Sequence, residues 1–217
     1  MIENAKHAFW QAFFVTVLFF FVGLVLGVYL EQIRGDNLNV LSYNSEVSLY
    51  DSFALGKLAD GNITSCENLR KTTLDFADKI YNEARELERF DEKNQLTDSV
   101  KAIHRKYDLL RTLLWMNAID IKEKCGGINT VVYLYIYDTQ DIKTKSEQTV
   151  WERVLSDLKA EEGDNVLLIP IAADQNIDSL NYLATFYKVD KFPAVVINEK
   201  IVLREPKSAD EIGSYLK

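Results

Sequence analysis

Apolar positions recur along this chain in several distinct rhythms, and each rhythm predicts a different element. From Ala8 to Leu30 there is no rhythm and no charged residue, only runs such as Phe13-Phe14-Val15, Leu18-Phe19-Phe20-Phe21-Val22 and Leu24-Val25-Leu26. A helix apolar on every side belongs in a core or a membrane. These 23 residues would span about 35 Å as a helix, enough for a bilayer's hydrocarbon. Trp10 and Tyr29 stand near the two ends, where amphipathic rings favour the interface. A cleaved signal peptide would have a shorter apolar core and a small-residue site, whereas Tyr29-Leu30-Glu31-Gln32 follows here. The expectation is a retained single span over residues 8–30 behind a tail of residues 1–7. Lys6 and the terminal amine precede it, and Arg34 follows beside Glu31 and Asp36. That weak bias favours a cytoplasmic amino terminus and an extracytoplasmic remainder.

From residue 37 to 128 the rhythm is helical. Val40, Tyr43, Val47, Tyr50, Ala54 and Leu58 form one stripe, closed by Asp60-Gly61-Asn62. Thr64-Ser65-Cys66-Glu67 has the spacing of a capping box and opens a second stripe, Leu69, Phe76, Ile80, Ala84 and Leu87. Asp91-Glu92-Lys93-Asn94 interrupts it. Leu96, Val100, Ile103, Tyr107, Leu110, Leu114, Asn117 and Ile121 then alternate by four and three, a heptad seam that Gly126-Gly127 ends. Two long seams joined by a short polar turn predict an antiparallel helical hairpin, read as a stalk spanning 31–128. Asn117 would fix register on the seam. His104 lies off it and is expected in solvent.

Beyond residue 129 the rhythm changes again. Thr130 to Tyr137 is β-branched and aromatic throughout, a buried strand. Ser146–Lys159 carries Val150, Val154, Leu155 and Leu158 on one helical face. Strand 165–172, helix 177–188, short strands 194–197 and 201–203, and helix 210–216 complete the order βαβαββα. Crossover helices make the first two strands parallel, and the last two form a hairpin. Pro170 sits inside the second strand, which suits only an edge position.

Charge and cysteine content narrow the reading. The chain has 217 residues and a net charge of -8, which disfavours nucleic acid and polybasic membrane contact. Its two histidines and two cysteines are far apart, so no metal set is expected. Cys66 opens one hairpin helix and Cys125 closes the other, so antiparallel packing makes them neighbours. A Cys66–Cys125 disulfide would close the hairpin and contribute about 4 kcal/mol by loop entropy. It agrees with an oxidising compartment. Asn62-Ile63-Thr64 makes Asn62 a candidate glycosylation site, although so short a sequon often arises by chance.

Residues 129–217 resemble the core of the thioredoxin-like superfamily. The resemblance is carried by the element order and by Ile171-Ala172-Ala173-Asp174-Gln175-Asn176, leading through Leu180-Asn181-Tyr182-Leu183-Ala184 to Phe192-Pro193-Ala194. It implies a cis bond before Pro193 and a peptide groove at Phe192, Pro193 and Ala194. It also implies that the loop after the first strand is the active-site loop. Active members place C-x-x-C there, at a helix start that lowers the attacking thiol's pKa. Here Thr139, Gln140, Asp141, Ile142, Lys143, Thr144, Lys145 and Ser146 occupy that window without a cysteine. The helix start at 143–146 offers an anion site only weakly, and a solvated loop is the plainer expectation.

No catalytic residue and no cofactor is therefore assigned. The expected protein is a membrane-anchored, redox-inactive thioredoxin-like module that binds a protein or peptide outside the cytoplasm. Two other readings remain open: a thiol–disulfide oxidoreductase or helper using Cys66 and Cys125, and a structural subunit that self-associates or assembles through the stalk.

Overall fold

The computed structural model describes residues 9–30, 47, 50, 51, 65–91, 98–137 and 139–216, with side chains described for all but 85–91 and 98–100. The chain divides into two compact units, Met1–Tyr43 and Asn44–Lys217. The first contains helix α1, Phe9–Leu30, long and apolar enough to cross a membrane. Its large side chains, Phe14, Phe19 and Phe20 among them, are exposed all round, as suits a helix whose solvent is lipid. The expected helix at 37–58 lies outside the described residues except at Val47, Tyr50 and Asp51, which are helical. Asn62 also lies outside them.

The second unit is a mixed α/β fold. Helices α2 (Cys66–Asp91) and α3 (Asp98–Cys125) precede β1 (Asn129–Tyr135), α4 (Ile142–Glu162), β2 (Val166–Ala172), α5 (Asp178–Phe186), β3 (Ala194–Ile197), β4 (Ile201–Leu203) and α6 (Ala209–Ser214). The sheet order is β2-β1-β3-β4. β1 runs parallel to β2 and antiparallel to β3, and β4 is antiparallel to β3. Alternation sends Val131, Tyr133, Val195 and Ile197 to one face, where Trp151, Leu155 and Leu158 of α4 and Ile212 of α6 cover them. α3 packs against β1 and β2, beside α5, and α2 packs on α3 and β2.

The hairpin is thus a layer of the same compact unit as the sheet. No boundary falls between residues 128 and 129, where the periodicity suggested a separate stalk. α3 is buried on two sides. The heptad residues Tyr107, Leu110, Leu114, Asn117 and Ile121 are buried, and so is a second 4,3 series, His104, Asp108, Arg111, Trp115 and Ala118. His104 is therefore not solvated. Its ring lies 4.5 Å from that of Tyr137, centroid to centroid.

Several ends shift from the periodicity, each for a local reason. α4 starts at Ile142, four residues early, because Asp141 caps it. β1 stops at Tyr135 because the Gln148 amide takes over both main-chain groups of Ile136, accepting from its N–H at 3.0 Å and donating to its carbonyl at 3.1 Å. Ser65 sits at the start of α2, its hydroxyl accepting from Asn68 N–H at 3.3 Å, while Thr64 lies outside the described residues.

β2 is an edge strand, with unpaired main-chain groups on the side away from β1. Those groups belong to residues of even number. Val166 carbonyl accepts from Lys159 Nζ at 3.1 Å, Ala172 N–H donates to Asp108 Oδ1 at 3.1 Å, and Pro170 has no N–H to offer. α2 lies along this edge.

The far side of the sheet is held by the β3–β4 turn. Asn198 and Glu199 both adopt positive φ, 52° and 59°, a backbone region that side chains other than glycine enter at a cost. Their side chains supply the compensation. Asn198 Oδ1 accepts from Thr130 N–H at 3.1 Å and Lys122 Nζ at 2.8 Å. Glu199 accepts from Trp115 Nε1 at 3.1 Å, Lys122 Nζ at 3.0 Å and the Thr130 hydroxyl. Glu199→Ala would leave the Trp115 indole N–H buried without an acceptor. We expect it to cost about 2–4 kcal/mol in urea unfolding of the full-length protein in detergent, while Lys200→Ala at the exposed neighbour stays within about 0.5 kcal/mol.

Candidate functional site

The carboxyl end of β1 gathers three connections. Leu134 pairs with Ala194 and Tyr135 with Ala172, so the segments before β3, after β1 and after β2 all open at one end of the sheet. The peptide bond between Phe192 and Pro193 is cis. Pro193 and Ala194 are buried, and Phe192 is half-buried. The approach to them is tied down. Lys188 turns the chain out of α5 at φ 60°, and Val189 N–H returns to Ala184 carbonyl at 2.8 Å. From the end of β4, Arg204 donates to Lys188 carbonyl at 2.9 Å and to Asp190 Oδ1 at 3.0 Å. That contact holds the Asp190 carboxyl below its ordinary pKa.

The facing segment carries no thiol, and only Thr139, Gln140 and Asp141 of it lie outside the helix. Ile142, Lys143, Thr144, Lys145 and Ser146 form the opening of α4, a correction to the expectation of one loop over 139–146. The anion position at this helix start is filled from within. Asp141 Oδ2 accepts from Thr144 N–H at 2.9 Å and from the Thr144 hydroxyl at 2.6 Å. These bonds lower the Asp141 pKa. A dipole that would favour a thiolate is here engaged by a carboxylate. Ile142 at this end is 83 % exposed, an unusual place for a branched apolar side chain.

A buried polar row on α3 borders the same end and was missed by sequence periodicity. Beside it the exposed Arg105 donates from Nη2 to Asn176 carbonyl at 2.9 Å. The His104 ring packs tilted against Tyr137, Asp108 accepts from Ala172 N–H, and Arg111 Nη1 donates to Asp108 Oδ1 at 3.3 Å. The signal was present as the second 4,3 series, but its residues are polar and read as a solvated face. Burial holds the Asp108 carboxyl above its ordinary value, against the lowering effects of Arg111, Ala172 N–H and His104.

The cysteines lie at the opposite end of the sheet. Cys66 and Cys125 are joined, with Cα atoms 5.5 Å apart, and Gly126 and Gly127 lead from there into β1 at positive φ. The sheet therefore separates the disulfide from Pro193 and from residues 139–146. Among the described residues no group of three or more His, Cys, Asp or Glu could hold a metal ion. Compared with known proteins, the chain matches no family model, no curated protein and no solved structure.

The Asp108 shift has a measurable sign. A carboxyl whose pKa is raised by folding favours the fold when protonated, and that stability is lost as pH rises from the unfolded value through the folded one. Relative to Asp108→Asn, which does not titrate, the native protein should lose stability as pH is raised above about 4. The difference should level off once Asp108 is ionised. Urea unfolding of both proteins across a pH series measures it; a difference independent of pH refutes the assignment.

Proposed function

We propose that this chain is a single-pass, membrane-anchored protein whose redox-inactive, thioredoxin-like domain captures a protein or peptide segment outside the cytoplasm. The observation that carries the reading is the meeting of the Phe192-Pro193-Ala194 segment before β3 with a cysteine-free start of α4 at one end of the sheet. The strand order, with β3 antiparallel to its neighbours, supports the likeness to that superfamily. So does the placement of α4 and α6 together on one face. Helix α1 and the single disulfide support an anchored, oxidised setting.

Capture rather than catalysis follows from the chemistry at this end. Thiol exchange needs a thiolate nucleophile, and residues 139–146 supply hydroxyls, an amide, charged groups and one isoleucine but no thiol. What they do offer is a recognition surface. The exposed Ile142 and half-buried Phe192 supply apolar contact.

Photo-crosslinking of the full-length protein in its native membranes tests this. A photoreactive residue at position 142 should give a discrete adduct with a second polypeptide, lost on Phe192→Ala. The same residue at position 153, on an exposed turn of α4, should give none. Adducts equal at both positions, or none at 142, would overturn the reading.

A second reading makes Cys66–Cys125 a redox pair, favoured by one observation: Cys66 is exposed in the first turn of α2. A structural staple predicts a reduction potential below about -300 mV, whereas catalytic disulfides lie near about -120 to -270 mV. We expect the former from equilibration with dithiothreitol. Replacing both cysteines by alanine should lower stability by about 2–4 kcal/mol without altering adduct formation at position 142.

A further inference from the structure

The edge of β2 leaves one interval open, between the Lys159 contact at Val166 and the Asp108 contact at Ala172. Around it, between α2 and α4, lies a cavity of about 390 Å³ lined by Tyr81, Arg111, Tyr133, Tyr135, Leu155 and Pro170, with Ser156 and Glu152 on its α4 side. That volume is at the small end of ligand pockets. Arg111 is only 7 % exposed. Its one hydrogen bond among the described residues joins Nη1 to Asp108 Oδ1 at 3.3 Å. The rest of the guanidinium fork has no protein acceptor among them and stays open to the cavity that Arg111 lines.

We infer that this cavity binds a small monocarboxylate with an aromatic or branched apolar body, its carboxylate on the open side of the Arg111 guanidinium. The planar fork matches a carboxylate through two parallel hydrogen bonds. Among the described lining residues Arg111 is the one cation and already shares charge with Asp108, while Glu152 is exposed beside the opening. A dianion such as phosphate would exceed the positive charge on offer. The body is set by the walls. Tyr133 and Tyr135 stack with centroids 5.4 Å apart, and Leu155, Leu168 and Pro170 complete an apolar lining. Pro170 lacks an N–H, which removes one main-chain donor from the open edge and weakens it as a strand-pairing site.

This site is separate from the Pro193 end and stands independently of the function proposed there. The test uses the full-length protein in detergent micelles with two probes of one shape, 3-phenylpropanoate and its uncharged amide, 3-phenylpropanamide, followed by ligand-detected saturation-transfer NMR. The carboxylate should bind saturably and the amide about tenfold or more weakly. Arg111→Met should remove that preference. Because Arg111→Met leaves Asp108 without its partner, a second variant is needed. Ser156→Trp fills the cavity from an exposed helical position and leaves the Arg111–Asp108 contact in place, and it should weaken carboxylate binding about tenfold or more. No saturable binding (a water-filled cavity only), equal binding of acid and amide, or binding that survives Ser156→Trp would each overturn the proposal.

Discussion

A four-stranded open sheet must dispose of its edges, and in this protein the edge of β2 dictates how the helices are arranged. Unpaired main-chain groups there invite pairing with another chain. The protein answers with four devices: a proline at residue 170, a lysine from α4 on Val166, an aspartate from α3 on Ala172, and α2 laid alongside. Two of the four come from the α2–α3 hairpin, so the hairpin and the sheet are not separable parts. The disulfide closes the hairpin at its free end, which restrains the helix that guards the edge.

α3 is fixed at both ends of the sheet by polar contacts rather than by apolar packing alone. At one end Arg105 and Asp108 reach the segment around Ala172 and Asn176. At the other, Trp115 and Lys122 reach the turn formed by Asn198 and Glu199. Apolar packing tolerates sliding, whereas a hydrogen bond holds only near one geometry. Contacts 64 to 84 residues apart in sequence at both ends therefore set the register of α3 on the sheet. The burial of Asp108 is costly for a carboxyl, and it persists because Ala172 N–H, one of the edge groups, needs an acceptor.

Much of this was legible in the residues. β3 and β4 fall at 194–197 and 201–203 as the short β-branched runs implied. Pro170 lies on an edge strand, and Cys66 meets Cys125. What escaped was the second buried side of α3. Hydrophobic periodicity detects a face only when that face is apolar, and the series His104, Asp108, Arg111, Trp115, Ala118 holds three polar members. With that face taken for solvent, the hairpin looked like a free-standing stalk. The start of α4 was misplaced for a similar reason. Lys143, Thr144 and Lys145 carry no apolar stripe, so only the Asp141–Thr144 cap marks the helix there.

The two ends of the sheet divide features that a thiol oxidoreductase would bring together. One end has the cis proline and a helix start whose donors serve Asp141. The other has the only disulfide, seated between a helix pair and two glycines. A substrate disulfide at the first end would meet no sulfur, and a thiol attacking at the second would meet no proline loop. The physical consequence is a separation: the Cys66–Cys125 bond closes the hairpin that lies along the sheet edge, and the opposite end of the sheet leaves Ile142 exposed. Exchange chemistry at this end would require a cysteine at the start of α4 together with loss of the Asp141 carboxylate, because a thiolate and that carboxylate would compete for the same helix dipole.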